Sequence, residues 1–213
     1  MNAFSRNLLR PLCLVAGTLI ATGAYAQAYV GVGVGQGHAK LPSTDTTFQG
    51  FPFSGSGDKS HDTSWKLYAG YQFTPNWGLE AGYNDLGHSF SRKGSYNGAP
   101  FDSSYKMDSW YAAGTGTLPL GSGFSLLGKI GATYNSASLG SICAAGAPCI
   151  DLGHKHHTDL LLGAGAQYAF TKNWAARLEY EDYGKMTNDD AWGTGSSGAL
   201  KADAWYFSVN YAF

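Results

Sequence analysis

Residues 205–213 read Trp-Tyr-Phe-Ser-Val-Asn-Tyr-Ala-Phe, an alternation that places Trp205, Phe207, Val209, Tyr211 and Phe213 on one face. A period of two is the mark of a β-strand with unlike faces. The same pattern recurs in at least five other segments, with one face aromatic or aliphatic and the other small, polar or charged. In water, the greasy face of such a sheet needs a covering layer. Beyond the first residues the chain has no helical periodicity to supply one. A closed barrel satisfies the pattern if its apolar face meets lipid and its polar face lines the lumen.

The opening segment has a different character. Arg6 and Arg10 precede the short apolar run Leu12–Ile20, and Ala24-Tyr25-Ala26 fits a small-x-small cleavage site. Residues 1–26 therefore read as a cleaved signal peptide, and 27–213 as one barrel domain. Fourteen basic against fifteen acidic side chains leave no basic footprint for nucleic acid. Aromatic residues make up 15% of the chain, which argues against disorder. Cys13 falls in the signal segment. Cys143 and Cys149 form a close pair, and in an exported chain they read as a disulfide pinning one loop.

Alternation predicts an all-β, eight-stranded, antiparallel up-and-down barrel with strands near 27–37, 63–73, 77–87, 104–117, 123–135, 158–170, 174–184 and 200–213. Val30, Val32 and Val34 face out on the first, and Trp65, Leu67, Ala69, Tyr71 and Phe73 on the second. The third presents Trp77, Leu79, Ala81 and Tyr83. The fourth is the least regular, and its outward set is read as Tyr105, Met107, Tyr111 and Ala113. Short turns at 74–76, 119–122 and 171–173 alternate with long connections at 39–62, 88–103, 136–157 and 185–199. Short turns facing the periplasm and long loops facing outside are the pattern of an outer-membrane barrel.

Trp65 and Phe73 share a face eight residues apart, as do Trp205 and Phe213. At ~3.3 Å per residue and a tilt of ~40°, that spans ~20 Å vertically, close to the apolar band of such a barrel. Aromatic rings prefer the two lipid–water boundaries. Phe73, Trp77, Phe170, Trp174 and Phe213 read as the girdle at the turn end, with Tyr211 beside them. Trp65, Tyr83, Tyr134 and Trp205 read as the girdle at the loop end.

Two segments align without a gap. Phe73-Thr74-Pro75-Asn76-Trp77 matches Phe170-Thr171-Lys172-Asn173-Trp174, and the match continues through Tyr83 with Tyr180, Asp85 with Asp182 and Gly87 with Gly184. The repeat puts Glu80 and Arg177 at one height on opposite inner walls. A narrow lumen of low dielectric favours pairing them. Lys66, Lys129 and Glu179 are further inward charges and competing partners.

The segments Trp65-Lys66-Leu67-Tyr68-Ala69-Gly70-Tyr71-Gln72-Phe73, Gly78-Leu79-Glu80-Ala81-Gly82-Tyr83-Asn84-Asp85-Leu86-Gly87 and Arg177-Leu178-Glu179-Tyr180 closely resemble the transmembrane domain of OmpA-type proteins. The resemblance implies an eight-stranded barrel in the outer membrane of a Gram-negative envelope, with lipid and lipopolysaccharide around it. It implies a role in envelope integrity, slow passage of small solutes in some members, and a Glu–Arg gate at Glu80 and Arg177. The second interior charge pair of that family is not evident. Gln167 stands where a carboxylate is often found, and the fourth strand lacks the matching lysine, so a single-pair gate is expected to leak more. The sequence stops at Phe213 without the family's peptidoglycan-binding domain, so wall anchoring is not carried over. Its final Tyr-x-Phe resembles the signal read by the barrel assembly machinery. A monomer is expected.

Chemistry-bearing clusters are few. Asp151, His154, His156, His157 and Asp159 gather before the sixth strand, but their spacing fits no metal template. His88-Ser89 and Asp108-Ser109 are the only hints of a nucleophile near a base or acid, and neighbours on a strand face opposite sides. Gly31, Gly33, Gly35 and Gly37 miss the dinucleotide pattern and read as room inside a barrel. The expectation is a structural barrel with at most a narrow gated passage, no enzymatic activity and no cofactor or metal. A lipid-modifying barrel enzyme and a loop-borne adhesin or ligand-binding surface protein are the alternatives.

Overall fold

The computed structural model describes residues 27–40, 44–48, 51–55, 59–96, 98–139, 153–187 and 199–213. The expected signal segment and the Cys143/Cys149 pair lie outside the described residues. Among the described residues ten strands follow one another: β1 (Gln27–Lys40), β2 (Thr44–Phe48), β3 (Phe51–Gly55), β4 (Lys59–Gln72), β5 (Trp77–Tyr96), β6 (Ala99–Gly121), β7 (Phe124–Leu139), β8 (His154–Ala169), β9 (Trp174–Lys185) and β10 (Lys201–Ala212). Eight of them close an antiparallel barrel in the order β5-β4-β1-β10-β9-β8-β7-β6, sealed by β5 against β6.

The remaining two, β2 and β3, form a hairpin in the first long connection and join the far end of β5 through Phe53↔Tyr96. Residues 88–103, read as loop from the sequence, instead continue β5 and β6 past the barrel as a hairpin. Polar residues dominate there, which hides the strand. Phe90, Tyr96, Phe101 and Tyr105 nevertheless recur at strand-favouring positions.

Polarity is inverted relative to a water-soluble fold. Trp77 is 63% exposed and Val32 60%, whereas Lys66 and Glu181 are fully buried. The outward sets predicted for the first, second, third and last strands face outward. The fourth barrel strand, β6, is the exception. Met107, Tyr111 and Ala113 point into the lumen, and Trp110 and Ala112 point out. Both faces of β6 carry a large ring at 110 and 111. The buried hydrogen bond from Tyr111 to Glu80 Oε1 (2.7 Å) favours the tyrosine as the ring that goes in. Because the pleat alternates, the rest of the strand faces accordingly.

The turn end is built twice from the same parts. Thr74 Oγ1 accepts from the Trp77 amide at 2.9 Å, and Thr171 Oγ1 accepts from the Trp174 amide at 2.9 Å. Asn76 Nδ2 donates to Thr117 O (2.9 Å) and Asn173 Nδ2 to Ala212 O (2.7 Å), so each asparagine ties its turn to the neighbouring strand. The turn predicted at 119–122 shifts toward the chain end. β6 runs on to Gly121, and Ser122 and Gly123 make the reversal with positive φ.

The aromatic residues form two belts. At the loop end Trp65, Tyr83 and Trp110 overlap at 5.5 and 5.0 Å, and Tyr180 meets Trp205 at 5.1 Å. Exposed Tyr134, paired with Trp110 across β6 and β7, continues the belt. At the turn end Trp174, Tyr211 and Phe213 touch in sequence, Phe124 packs on Tyr168, and Phe73, Trp77 and Phe170 are exposed.

Candidate functional site

The lumen has a charged waist built by four strands. Period two turns Lys66 of β4, Glu80 of β5, Lys129 of β7, and Arg177, Glu179 and Glu181 of β9 inward, and all six are buried. β5 and β9 stand opposite each other in the barrel order. Glycines on the inner wall leave space for rings. A Cβ at Gly70 would lie 2.2 Å from Tyr29 Cζ, and one at Gly31 would lie 2.3 Å from Tyr68 Cζ.

Arg177 Nη1 donates to Glu80 Oε2 at 2.9 Å, so the predicted pair from opposite walls meets. Its Nε donates to Gln167 Oε1 at 2.7 Å. Lys129 Nζ sits between three carboxylates, 2.6 Å from Glu80, 2.7 Å from Glu179 and 2.8 Å from Glu181. Lys66 Nζ reaches Glu179 at 2.6 Å and Glu181 at 3.0 Å. Glu80 also accepts from Tyr29 (2.9 Å) and Tyr111 (2.7 Å), and Glu181 accepts from Tyr183. Arg177 lies 4.8 Å from the Tyr29 ring centroid, and Lys66 4.8 Å from that of Tyr206.

The expectation of a single interior pair is therefore corrected. Three carboxylates and three cations form one network, with Gln167 a neutral partner of Arg177 rather than a missing charge. Glu181 was not among the predicted site residues, although it shares the inner face of β9 with Arg177 and Glu179. Alternation alone was enough to place it. Taking an ion from water into such an interior costs several kcal/mol, so this many charges persist only because each has several partners.

On the loop side of the waist the filling is mixed: Leu86, Met107, Leu161 and Leu200 are buried together with Ser64, Asn84, Ser109, Thr133 and Asn135. On the turn side a narrow cleft is lined by Gln72, Thr115, Thr117 and Leu127, with Tyr29, Lys129 and Arg177 at its head. The charges are thus concentrated at the middle of the lumen, between a polar turn side and a loop side of mixed polar and apolar filling.

The other singled-out residues do not converge. Asp108 and Ser109 face opposite sides of β6, and the side chains of His88 and Ser89 lie outside what is described. His154 Nδ1 lies 2.8 Å from Ser138 Oγ, His156 stacks on Tyr134 at 5.4 Å, and His157 is 4.0 Å from Asp159. Among the described residues no three His, Cys, Asp or Glu side chains gather as a metal site would require.

The family profile described as the outer membrane protein β-barrel domain matches residues 12–213. Among solved structures, Ail, the attachment invasion locus protein of Yersinia pestis, superposes with a TM-score of 0.51 at 16% identity, over 88% of this chain and 99% of its own. Neisserial surface protein A gives a TM-score of 0.51 at 19% identity with the same coverage of each chain. At such identities the likeness speaks for the fold alone. A search of curated proteins returns no significant match.

Proposed function

We propose, from the premise that this chain belongs to the outer membrane protein β-barrel domain family, that it is a structural barrel whose lumen is held shut at its waist. The observation that carries this reading is the buried network of Glu80, Arg177, Lys129, Lys66, Glu179 and Glu181, which spans the lumen from wall to wall. In this reading Glu80 and Arg177 form the gate, and any passage of small solutes waits on the network rearranging. The surrounding partners are outer-membrane lipid and lipopolysaccharide, and the last strand is the segment offered to the assembly machinery. The chain acts as a monomer without catalysis, after export with a cleaved signal peptide. Cys143 and Cys149 close one outer loop as a disulfide.

The test is single-channel recording in planar bilayers. Glu80→Ala removes the carboxylate shared by Arg177, Lys129, Tyr29 and Tyr111, and is expected to raise the conductance above that of the unaltered protein. Glu80→Gln, which keeps the shape, is expected to raise it less. Unchanged conductance in a correctly folded Glu80→Ala barrel would show that the network does not close the lumen.

A further inference from the structure

At the loop end, rungs of register partners cross β4, β1, β10 and β9. Level with the aromatic belt stand Thr63, Gln36, Trp205 and Tyr180. The next rung on the same parity of β4, β1 and β10 holds His61, His38, Asp203 and Asp182, and the one above it Lys59, Lys40, Lys201 and Lys185. Four lysines thus stand side by side on four neighbouring strands. A bulge places the last of them. From Asp203 back to Lys201 β10 moves two residues, while β9 moves three, from Asp182 to Lys185, past Gly184 with its positive φ. Lys40 and Lys201 are exposed, on the outward parity of Val34 and Trp205.

Such a row is costly as it stands. Like charges directly opposite each other in a sheet repel, and here three successive pairings set lysine against lysine. On the opposite wall Lys106 faces Ser138 and Lys155 faces Ala137 across the register. The carboxylates nearby relieve the row only in part. Asp203 lies 3.0 Å from Lys40 Nζ and 3.4 Å from His38 Nδ1. Asp159, beside half-buried Lys185, accepts from the Lys185 amide at 2.6 Å and the Leu160 amide at 2.8 Å. Asp182 is exposed and accepts from the Gly184 amide at 2.8 Å. Asp62 faces the other way, toward Gly87 of β5. On these two rungs four lysines therefore stand against Asp203 and Asp182, with exposed Lys201 between Lys40 and Lys185.

The height of the row decides what answers it. Lys201 is four residues from Trp205 on β10, which is ~13 Å along the strand and ~10 Å along the membrane normal at a tilt of ~40°. That is the headgroup side of the belt, and lysine stems bend back along an apolar surface to keep the ammonium there. Below the β9–β10 half of the row, on the lipid-facing wall, Ala164, Ala166, Leu178, Tyr180 and Trp205 line an apolar groove of about 490 Å³. A molecule with an anionic head and an apolar tail fits both.

We propose that the lysine row of β4, β1, β10 and β9 is a lipid site, which holds a phosphate of outer-leaflet lipopolysaccharide while an acyl chain of the same molecule lies in the groove beneath. The phosphate relieves the repulsion between Lys40 and Lys201, and Asp203 holds the Lys40 ammonium in place for it. One wall of the barrel is thereby fixed to its lipid. The inference rests on the barrel lying in the outer membrane with its loop end outward, and not on the waist acting as a gate.

The test is native mass spectrometry of the full chain folded in detergent micelles, titrated with diphosphoryl lipid A. Each variant is first shown to shift on heating. A barrel that shifts and ignores the lipid sinks the site alone, whereas a chain that forms no heat-modifiable barrel sinks the reading beneath it as well. The unaltered barrel is expected to retain diphosphoryl lipid A and to release fully dephosphorylated lipid A. Lys201→Gln is expected to weaken binding about five-fold, and Lys40→Gln with Lys201→Gln to weaken it further. Asp182→Asn should strengthen it, because an exposed carboxylate beside the row is gone. Ala164→Phe, which fills the groove, should weaken it. Lys106→Gln, on the opposite wall, should leave it unchanged. Equal retention of the dephosphorylated lipid, or indifference to the double lysine change, would overturn the proposal. A loss in Lys106→Gln as large as in Lys201→Gln would mark general attraction to a charged lipid and overturn it too. Displacement of the lipid by inorganic phosphate, or indifference to Ala164→Phe, would leave a bare phosphate site and overturn the lipid assignment.

Discussion

Lys129 is the pivot of the waist, because its single ammonium answers three carboxylates from two strands. Removing it by Lys129→Met leaves Glu80, Glu179 and Glu181 to share Arg177 and Lys66. Breaking a buried pair costs about 3–5 kcal/mol, and a loss of that size is expected in urea unfolding from lipid vesicles. Adding Glu181→Gln should recover part of the loss, since the excess charge goes with it, and the two changes should be clearly non-additive. A loss under about 1 kcal/mol would mean that lumen water hydrates the carboxylates well enough alone. Most of these residues could be read from the sequence because a charge on an otherwise small or polar inner face is conspicuous. The tyrosines that clasp them were not singled out, and Tyr111 was read as facing outward. Tyr29, Tyr68, Tyr111 and Tyr206 are at home against lipid or in a lumen, and what admits Tyr68 is a glycine on a different strand, Gly31.

At the scale of strands, the sequence was most informative where one face was uniformly greasy. Val30, Val32 and Val34 leave β1 no alternative orientation. The β6 strand offers Trp110 and Tyr111 side by side, and there alternation without the neighbouring strands cannot choose. The hydroxyl of Tyr111 finds Glu80, whereas the indole of Trp110 joins Tyr83 and Tyr134 in the outer belt. A variant keeping Trp110 as its sole tryptophan is therefore expected to be quenched by phospholipids brominated near the headgroup end of their chains. Indifference to those lipids would put that indole inside and reverse the strand. The long hairpin of β5 and β6 was hidden for another reason. Past the barrel no bilayer demands a greasy face, so the alternation that betrays a membrane strand is no longer required.

For the molecule as a whole, the closed wall predicts a compact species on gels run without boiling after outer-membrane fractionation, converted to a differently migrating form by heat. A single unchanged band would contradict closure.

The joint that completes the cylinder is the one between β1 and β10, running from Tyr29↔Ala212 to Lys40↔Lys201. Its two halves come from opposite extremities of the described chain, the greatest separation in sequence of any neighbouring pair. No partial translation product can present a finished wall. Until the final strand is in hand, every precursor carries two raw edges able to pair with a stranger. The topology thus leaves the cylinder open along one line until the last strand meets the first.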